Sequence, residues 1–540
     1  RYWMERVLRE CDHVSVDFSA DPVHDLRVAL RRCRSLADGM MAMDPDPGWK
    51  AMKKAGKRLF QRLGALRDVQ IMMEWIEKLA PAPTGSVVVP EPSSDAAALL
   101  NIEVAETHPH DHAARALLEI LRARESEQKR EARVALDQFD RKQWRQWGKS
   151  LPRRAARTRP GSTVFKHLAL ERWTAARELH SRAMRSRSKI AFHTLRIGIK
   201  RFRYIVENFL PEQHMAWGDD LKHMQDLLGE VHDLDVLWAT ALSCRVFPDE
   251  ASRKTWHERI VGERTDRIDE YRQHTIGPDS LWQVWRLGLP AGKQIQEIAT
   301  RRMKFWAKAL DPDFAHSERV AHLALQLYDG LDALKLLRAP NSPSRNGNES
   351  EERSCLYLAA LLHDVGKAKG DRGHHKESLA LIRSHGTPLG WKAESMAQAA
   401  IVARFHCGTL PTRSHKALRD LLPDEQKITI QLAAILRLAN AFDIAHDGHV
   451  RGVRIENAVH PTDGKKRTNG FVRKPATLSP NEALIIAADG FRPDDSTAQA
   501  VAAERYLLET VLHRPVAVSA ASAPRRATSA TTAILHPTRN

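Results

Sequence analysis

The sequence predicts a mainly all-α protein, in which two similar helical bundles precede a helical domain with a small α/β subdomain at its C-terminal end. Three observations lead to this prediction. Apolar residues recur at helical spacing through most of the chain. One distinctive helical pattern occurs twice in the first half of the chain. Short apolar runs that resemble strands are confined to the region after residue 450.

The composition is that of a basic protein with ordinary hydrophobic cores. Apolar residues make up 42% of the chain, and 84 Lys and Arg against 67 Asp and Glu leave a net charge of +17. This charge indicates a polyanionic partner or an acidic surface, although a generally basic surface would also account for it. Aromatic residues are only 6% of the chain, which argues against stacking platforms for single-stranded nucleic acid.

Cysteine usage and hydropathy favour a cytoplasmic protein. The five Cys are scattered and form no CxxC motif, which is typical of reduced thiols rather than of a disulfide framework. No apolar run approaches the roughly 18 residues that a membrane span needs, and no signal peptide is visible. Residue 1 is Arg rather than Met, so the sequence leaves open what precedes it.

The repeated pattern is a helix with one basic edge and one apolar face. A histidine begins each copy, at positions 24 and 193, and basic residues follow at +3, +7, +8 and +10. At about 100° per residue, four of these five positions lie in an arc roughly 80° wide. Apolar residues at +2, +6, +9, +13 and +16 form a neighbouring stripe that predicts burial. The predicted polyanion-binding residues are His24, Arg27, Arg31, Arg32, Arg34, His193, Arg196, Lys200, Arg201 and Arg203.

Each basic helix is followed by a second matched element, a glycine and then an aspartate, in Leu63–Val69 and in Leu228–Leu234. Two matched elements at similar separation predict two bundles related by a pseudo-two-fold axis. Two basic edges facing each other would raise the positive potential between them, where Arg and Lys bind phosphate oxygens. Asp68 and Asp233 are expected to orient basic side chains from within the bundles.

On these motifs, residues 1–275 resemble the CHAD family, the conserved histidine α-helical domain. The resemblance implies two helical repeats, about 1–150 and 160–275, around a basic cavity that binds inorganic polyphosphate. It implies binding rather than catalysis. Lys200 stands where the first repeat has Arg31, which keeps the charge but not the bidentate geometry of a guanidinium.

A different set of residues occupies 300–450, after a linker predicted at 276–299. Histidines and aspartates occur in the order H…HD…HH…H…D, spread over several helical patterns. A shell of His and Asp suits Mn, Fe, Co or Zn, and Mg less well. We predict a divalent ion (Mn, Mg, Fe or Co) held by His316, His363, Asp364 and Asp443. His375 and His406 would hold a second ion or contact phosphate, and Asp364 and Lys367 are the predicted catalytic residues.

This order of residues resembles the HD superfamily of metal-dependent phosphohydrolases. More closely, residues 300–515 resemble the C-terminal HD module of the exopolyphosphatase/guanosine pentaphosphatase family, with a small α/β subdomain at 451–519 and a disordered tail at 520–540. In that family catalysis belongs to a separate N-terminal fold with glycine-rich phosphate loops, for which the sequence shows no counterpart. The HD ligands of those enzymes are often eroded, whereas here all four are present.

The resulting prediction is a polyphosphate-binding domain coupled to an HD-type phosphohydrolase that acts on polyphosphate or on a phosphorylated nucleotide. The alternative is a non-catalytic protein of polyphosphate granules whose HD domain is structural and retains metal for stability. A general nucleic-acid binder is a third class, which the shortage of aromatic residues disfavours for single strands. No membrane partner is expected, and the oligomeric state is left open.

Overall fold

The computed structural model describes residues 1–80, 109–337, 351–456 and 483–521. The chain divides into two compact units, Arg1–Arg302 and Met303–Asn540. The described residues form eighteen α-helices and one small sheet near the C-terminal end, so the predicted fold class is confirmed. Part of the predicted α/β subdomain, 457–482, and nearly all of the predicted tail lie outside the described residues.

The first ten helices belong to the first unit, and an eleventh contains the division between the units. They are α1 (Tyr2–Val16), α2 (Ala20–Met41), α3 (Pro47–Leu79), α4 (Pro109–Asp137), α5 (Arg141–Ala155), α6 (Thr163–Ser186), α7 (Lys189–Phe209), α8 (Pro211–Cys244), α9 (Glu250–Thr275), α10 (Leu281–Leu287) and α11 (Gln294–Leu310).

The two basic helices are α2 and α7, and each packs its apolar stripe into a core. All ten stripe residues are buried, as the periodicity predicts: Leu26, Leu30, Cys33, Ala37, Met40, Leu195, Ile199, Phe202, Val206 and Phe209. Helix α2 packs against α1 and α3, and α7 packs against α6 and α8. Helix α2 also contacts α7, and α3 contacts α8, so matching helices of the two repeats meet.

The stretch predicted as a linker, 276–299, contains helix α10. Trp282 and Trp285 of this helix are buried, and the Trp285 ring lies 5.8 Å from that of Phe202 in α7. Two large aromatic residues three positions apart lie on one face of a helix, so α10 adds to the core of the first unit.

The second unit contains seven further helices, a 3₁₀ turn and three strands. In chain order they are α12 (Phe314–Ala333), α13 (Glu351–Leu362), the 3₁₀ turn Val365–Lys369, α14 (His374–His385), α15 (Ala393–Arg404), α16 (Lys416–Arg419), α17 (Pro423–Phe442), β1 (Gly452–Glu456), β2 (Leu484–Asp489), α18 (Ser496–Leu512) and β3 (Val516–Ala520).

The sheet has the order β1-β2-β3. Strand β2 pairs antiparallel with β1, where Arg454 lies opposite Ala487, and parallel with β3, where Ile486 lies opposite Val518. Helix α18 makes the crossover that a parallel pair requires and packs against α17. This is the small α/β subdomain that the apolar runs predict.

None of the described helices is long and apolar enough to cross a membrane. The five cysteines all lie in the described part of the chain, and each is a free thiol.

Candidate functional sites

The first site is a cavity of about 370 Å³ enclosed by α2, α3, α7 and α8, which we call the basic cavity. Three of its cationic groups come from the two matched helices, Arg27 from α2 and Arg196 and Lys200 from α7. Both repeats therefore contribute charge to one hollow. The lining residues are Arg27, Phe60, Gln61, Gly64, Ala65, Asp68, Ile71, Met72, Arg196, Lys200, His232, Asp233 and Val236.

The glycine of the first Gly–Asp motif leaves room for Arg27 to reach this cavity, and the matched glycine of the second repeat lies beside Arg196. A Cβ atom at Gly64 would lie 2.8 Å from Nη1 of Arg27, closer than side chains pack. At the equivalent position in the second repeat, a Cβ atom at Gly229 would lie 3.9 Å from Nε of Arg196, an ordinary contact distance. The absence of a side chain is therefore needed for the arginine at Gly64 of the first repeat, whereas Gly229 of the second repeat has room for a Cβ atom.

The basic cavity holds charged groups that the protein itself leaves incompletely compensated. Nη1 of Arg27 is buried and has no hydrogen-bond partner among the described residues. Burial, together with the positive charges of Arg196, Arg31 and Arg27, lowers the pKa of Lys200 to about 8. An uncompensated buried donor and a repelled ammonium group are the conditions under which an anion binds favourably.

Two carboxyl groups also line the basic cavity, Asp68 from α3 and Asp233 from α8. Burial raises the pKa of Asp68, although the charges of Arg27 and Arg196 oppose the rise. Burial also raises the pKa of Asp233, to about 6, against the effect of Arg196. These two carboxyl groups partly offset the charge of the three cations. Among the described residues, neither acid forms a hydrogen-bonded ion pair with a cation of the cavity, so all three cations remain available to a ligand.

Two predicted cations flank the same aromatic ring. The Arg31 guanidinium lies 5.8 Å from the centre of the Tyr204 ring, and Nζ of Lys200 lies 5.9 Å from it. Nε of Arg31 and the Tyr204 hydroxyl are both buried without a hydrogen-bond partner among the described residues. Tyr204 therefore extends the polar surface beside the basic cavity.

The structure turns the remaining predicted arginines elsewhere. Arg32 and Arg203 both bind the carboxylate of Glu207, at 2.6 and 3.1 Å. Arg34 donates to the carbonyl oxygen of Lys53 at 2.8 Å and lies over the Phe60 ring. Arg201 is exposed, as its +8 position outside the 80° arc leads one to expect.

The two motif histidines also differ in placement. His24 keeps an exposed surface, although the protein around it removes part of its hydration; this partial desolvation and the charges of Arg31 and Arg67 lower its pKa. Nδ1 of His193 lies 3.3 Å from Nδ1 of His232, which lines the basic cavity. Burial and the charge of Arg196 lower the pKa of His232 to about 4. His232 is not among the site residues predicted from the sequence, although this histidine belongs to the second Gly–Asp motif.

The second site is built around the carboxylate of Asp364, and we call it the histidine–aspartate centre. Asp364 follows α13 and is 2% exposed, so its neighbours rather than water determine its charge. Four imidazole Nε2 atoms and one ammonium group surround its two oxygens. The distances from Asp364 are 3.4 Å to His363, 3.9 Å to His316, 3.3 Å to His374, 3.5 Å to His406 and 2.6 Å to Nζ of Lys367.

Three of these histidines are oriented by the same backbone device. Nδ1 of His363, His374 and His406 lies 2.7 to 2.8 Å from the carbonyl oxygen three residues earlier. A carbonyl oxygen only accepts, so Nδ1 of each ring carries the proton it donates. The neutral form of each ring then directs an Nε2 lone pair towards Asp364, the arrangement found in histidines that bind metal.

His316 is oriented by a carboxylate instead. Its Nδ1 lies 2.8 Å from Oδ2 of Asp443. Asp443 also accepts from Nε of Arg319 at 2.8 Å and from the backbone nitrogen of Gly448 at 2.9 Å. All of these contacts engage Asp443 behind His316, a placement that favours an orienting role over direct contact with an ion.

The structure brings His374, rather than the predicted His375, to the centre. The two residues begin α14, where successive side chains diverge by about 100°. His375 lies beside Gly408, whose Cβ position would be 3.5 Å from its Nε2. The HH pair in the sequence indicates that one of the two histidines faces inward. Which of them does so depends on how α14 packs against α15. His374 is therefore the functional residue that the sequence reasoning missed here.

The electrostatics of the centre keep Asp364 ionised. Burial alone would raise its pKa, but the charge of His363 and the contacts of His363 and His374 hold it far below its usual range. The contacts of His374 with Asp364 and Cys407 raise the pKa of His374 to about 10. Burial lowers the pKa of His406. One carboxylate thus faces a mixture of neutral and cationic groups.

The residues present fit a divalent ion. Nε2 of His363 and Oδ1 of Asp364 are buried with no hydrogen-bond partner among the described residues, although both are strong ligand atoms. Ligand atoms of His316, His363 and Asp364 all lie within 4.8 Å of one another. His374, His406 and Cys407 form a second such group on the other side of Asp364. The donor set of imidazoles and carboxylate suits Mn, Fe or Co better than Mg.

Two family models match parts of the chain. Residues 4–242 match the family model of the CHAD domain. Residues 298–468 match the model of the Ppx/GppA phosphatase, domain III. No curated protein is significantly similar to this chain. The resemblance to the CHAD family is confirmed for residues 4–242 and that to the Ppx/GppA phosphatase family for residues 298–468, whereas the HD assignment stays a prediction.

Proposed function

We propose that the first unit binds inorganic polyphosphate in the basic cavity and that the second unit is a metal-dependent phosphohydrolase related to exopolyphosphatases. Its substrate would be polyphosphate or a phosphorylated nucleotide. The observation that carries the proposal is the convergence of four histidine Nε2 atoms on one buried carboxylate, in a chain whose other half presents three cations in a cavity.

Polyphosphate is the ligand class that best fits the basic cavity. The cations come from two repeats and face a common space, which matches a chain of regularly spaced negative charges. A phosphate oxygen would satisfy the buried Nη1 of Arg27 and relieve the repulsion around Lys200. The match to the CHAD domain supports the same ligand.

In the histidine–aspartate centre, His316, His363 and Asp364 would hold one ion, and His374 and His406 are placed to hold another with Asp364 between them. A bound divalent ion lowers the pKa of water and offsets phosphate charge. Asp443 fixes the tautomer of His316 by accepting from its Nδ1. Lys367, half-buried beside Asp364, is placed to stabilise negative charge on a transferred phosphoryl group.

One observation favours the non-catalytic alternative, a granule-docking protein with a structural metal site. The side chains of His316, His363, Asp364 and His406 are each at most 3% exposed, whereas a substrate must reach the reacting group. His374 and Lys367, at 17% and 18%, are the exposed edge of the centre. The phosphatase family match also covers a single domain of that family.

The decisive experiment combines metal analysis of the purified chain with phosphate release from polyphosphate and from guanosine polyphosphates in the presence of Mn²⁺. Asp364→Asn, which keeps the shape of the side chain, should abolish release while polyphosphate binding by the first unit persists. Asp420→Asn, at an exposed position of the same unit, is the matched control and should leave release unchanged. Absence of release from every substrate, with polyphosphate binding intact, would establish the docking role instead.

A further inference from the structure

A third group of potential ligands lies in the first unit, on two neighbouring helices. His223 projects from α8, and Glu270 and His274 project from the last two turns of α9. One ligand atom from each residue lies within 4.8 Å of those of the other two. None of these residues lines the basic cavity. We propose that His223, Glu270 and His274 form a binding site for Zn²⁺ or a similar transition-metal ion.

The donor chemistry is that of a zinc site with an open position. Two imidazoles and one carboxylate are a ligand set that zinc accepts, with water completing the tetrahedron. Nε2 of His223 already lies 3.0 Å from Oε1 of Glu270. The rings of His223 and His274 are 5.6 Å apart and inclined at 86°, so they approach a common point from different directions.

The backbone that carries these side chains is held firmly on both helices. Glu270 and His274 are four residues apart and share one face of α9, and the buried residues Tyr271 and Thr275 follow them directly. Leu221 and Met224 are buried on either side of His223. On a tetrahedral ion with bonds of about 2.1 Å, neighbouring ligand atoms lie about 3.4 Å apart. The three ligand atoms here already lie within 4.8 Å of one another.

The surrounding charges leave the Glu270 carboxylate available. Arg267 binds Glu230 and Glu263, and Arg272 binds Asp269, so the neighbouring arginines of α9 pair with other acids. The site also lies at the C-terminal end of a long helix, where the helix dipole favours a cation. A simple His–Glu ion pair would account for His223 but would leave the approach of His274 unexplained.

The test is a Zn²⁺ titration of the full chain against a chromophoric chelator. His274→Ala should bind about one zinc fewer per chain than the parent, and Glu270→Gln, which preserves the side-chain shape, should weaken the same equivalent. His214→Ala removes another exposed histidine of α8 and should bind as many ions as the parent. Circular dichroism of each variant confirms that the helices remain folded.

Because the histidine–aspartate centre is intact in all of these proteins, its ions contribute equally and the difference reports on the new site alone. The proposal is overturned if parent and His274→Ala bind the same number of zinc ions. It is also overturned if His214→Ala loses the same equivalent, because that would indicate general binding to surface histidines. Neither outcome depends on whether the second unit hydrolyses phosphate.

Discussion

Replacing Lys200 by Met should stabilise the first unit while weakening its binding of polyphosphate. Lys200 is a half-buried ammonium group among Arg196, Arg31 and Arg27, all of the same charge. Methionine has a similar length and no charge, and it can keep the contact with the Tyr204 ring. The substitution therefore removes the repulsion without creating a large cavity.

The magnitude follows from the pKa of Lys200, which the folded protein lowers from 10.5 to about 8. Each tenfold change in a protonation equilibrium is worth about 1.4 kcal/mol, so keeping the folded ammonium protonated at pH 7 costs about 3 kcal/mol. Below pH 8 the group is protonated in both states and the cost is present in full. As the pH rises from 8 to 10.5 the folded state loses its proton first, and the advantage of the variant should disappear.

Hydrogen exchange of peptides from α7 measures this stability locally, without interference from the second unit. At pH 7, without polyphosphate, the variant should exchange more slowly than the parent. Isothermal titration should show polyphosphate affinity reduced by about tenfold, the value of one charged hydrogen bond. Lys54→Met, at an exposed position on α3, is the control and should change neither quantity appreciably.

Two results would refute this reasoning. Faster exchange of α7 in Lys200→Met, without polyphosphate, would mean that the ammonium group stabilises the fold and is not repelled by its neighbours. Unchanged polyphosphate affinity would mean that the ligand does not reach the basic cavity.

Two further predictions concern the residues that position the sites. Gly64→Ala should weaken polyphosphate binding about tenfold, because the new Cβ would lie 2.8 Å from Nη1 of Arg27 and displace the guanidinium. The loss of binding is expected even though alanine favours the helix more than glycine does. Gly229→Ala, with 3.9 Å of space, should bind normally, and equal losses in both variants by titration calorimetry would contradict this explanation. Asp443→Asn should reduce metal affinity by about 10- to 100-fold through loss of the acceptor behind His316, measured by equilibrium dialysis. Unchanged metal content at limiting ion concentration would show that Asp443 has no part in the site.

The burial of the two basic helices could be predicted from the local sequence pattern. Helical spacing alone predicts which face of α2 and α7 is buried, and Leu26 and Leu195 are among the residues that confirm it. That prediction succeeds because burial of an apolar stripe depends on the period of the helix, a property of the chain itself. The repetition of the pattern likewise predicts two similar bundles.

Helical spacing does not predict which groups the basic side chains contact. Arg27 and Arg34 share one helix edge, yet Arg27 enters the basic cavity and Arg34 turns to the Lys53 carbonyl. The difference arises because Gly64, on another helix, leaves room for Arg27. The rotamer of a long side chain depends on the residues that surround it, and here these residues are distant in the sequence.

The helical fold class, the two matched basic helices and the ordered set of His and Asp in the second half could all be predicted from the amino-acid pattern alone. That His374 rather than His375 reaches Asp364, and that Asp443 lies behind His316, follows only from the packing of the helices. Residues from five helices or their ends converge there, and adjacent residues on a helix diverge by about 100°. The packing of those helices therefore decides which side chains meet, and spacing along the chain does not record it.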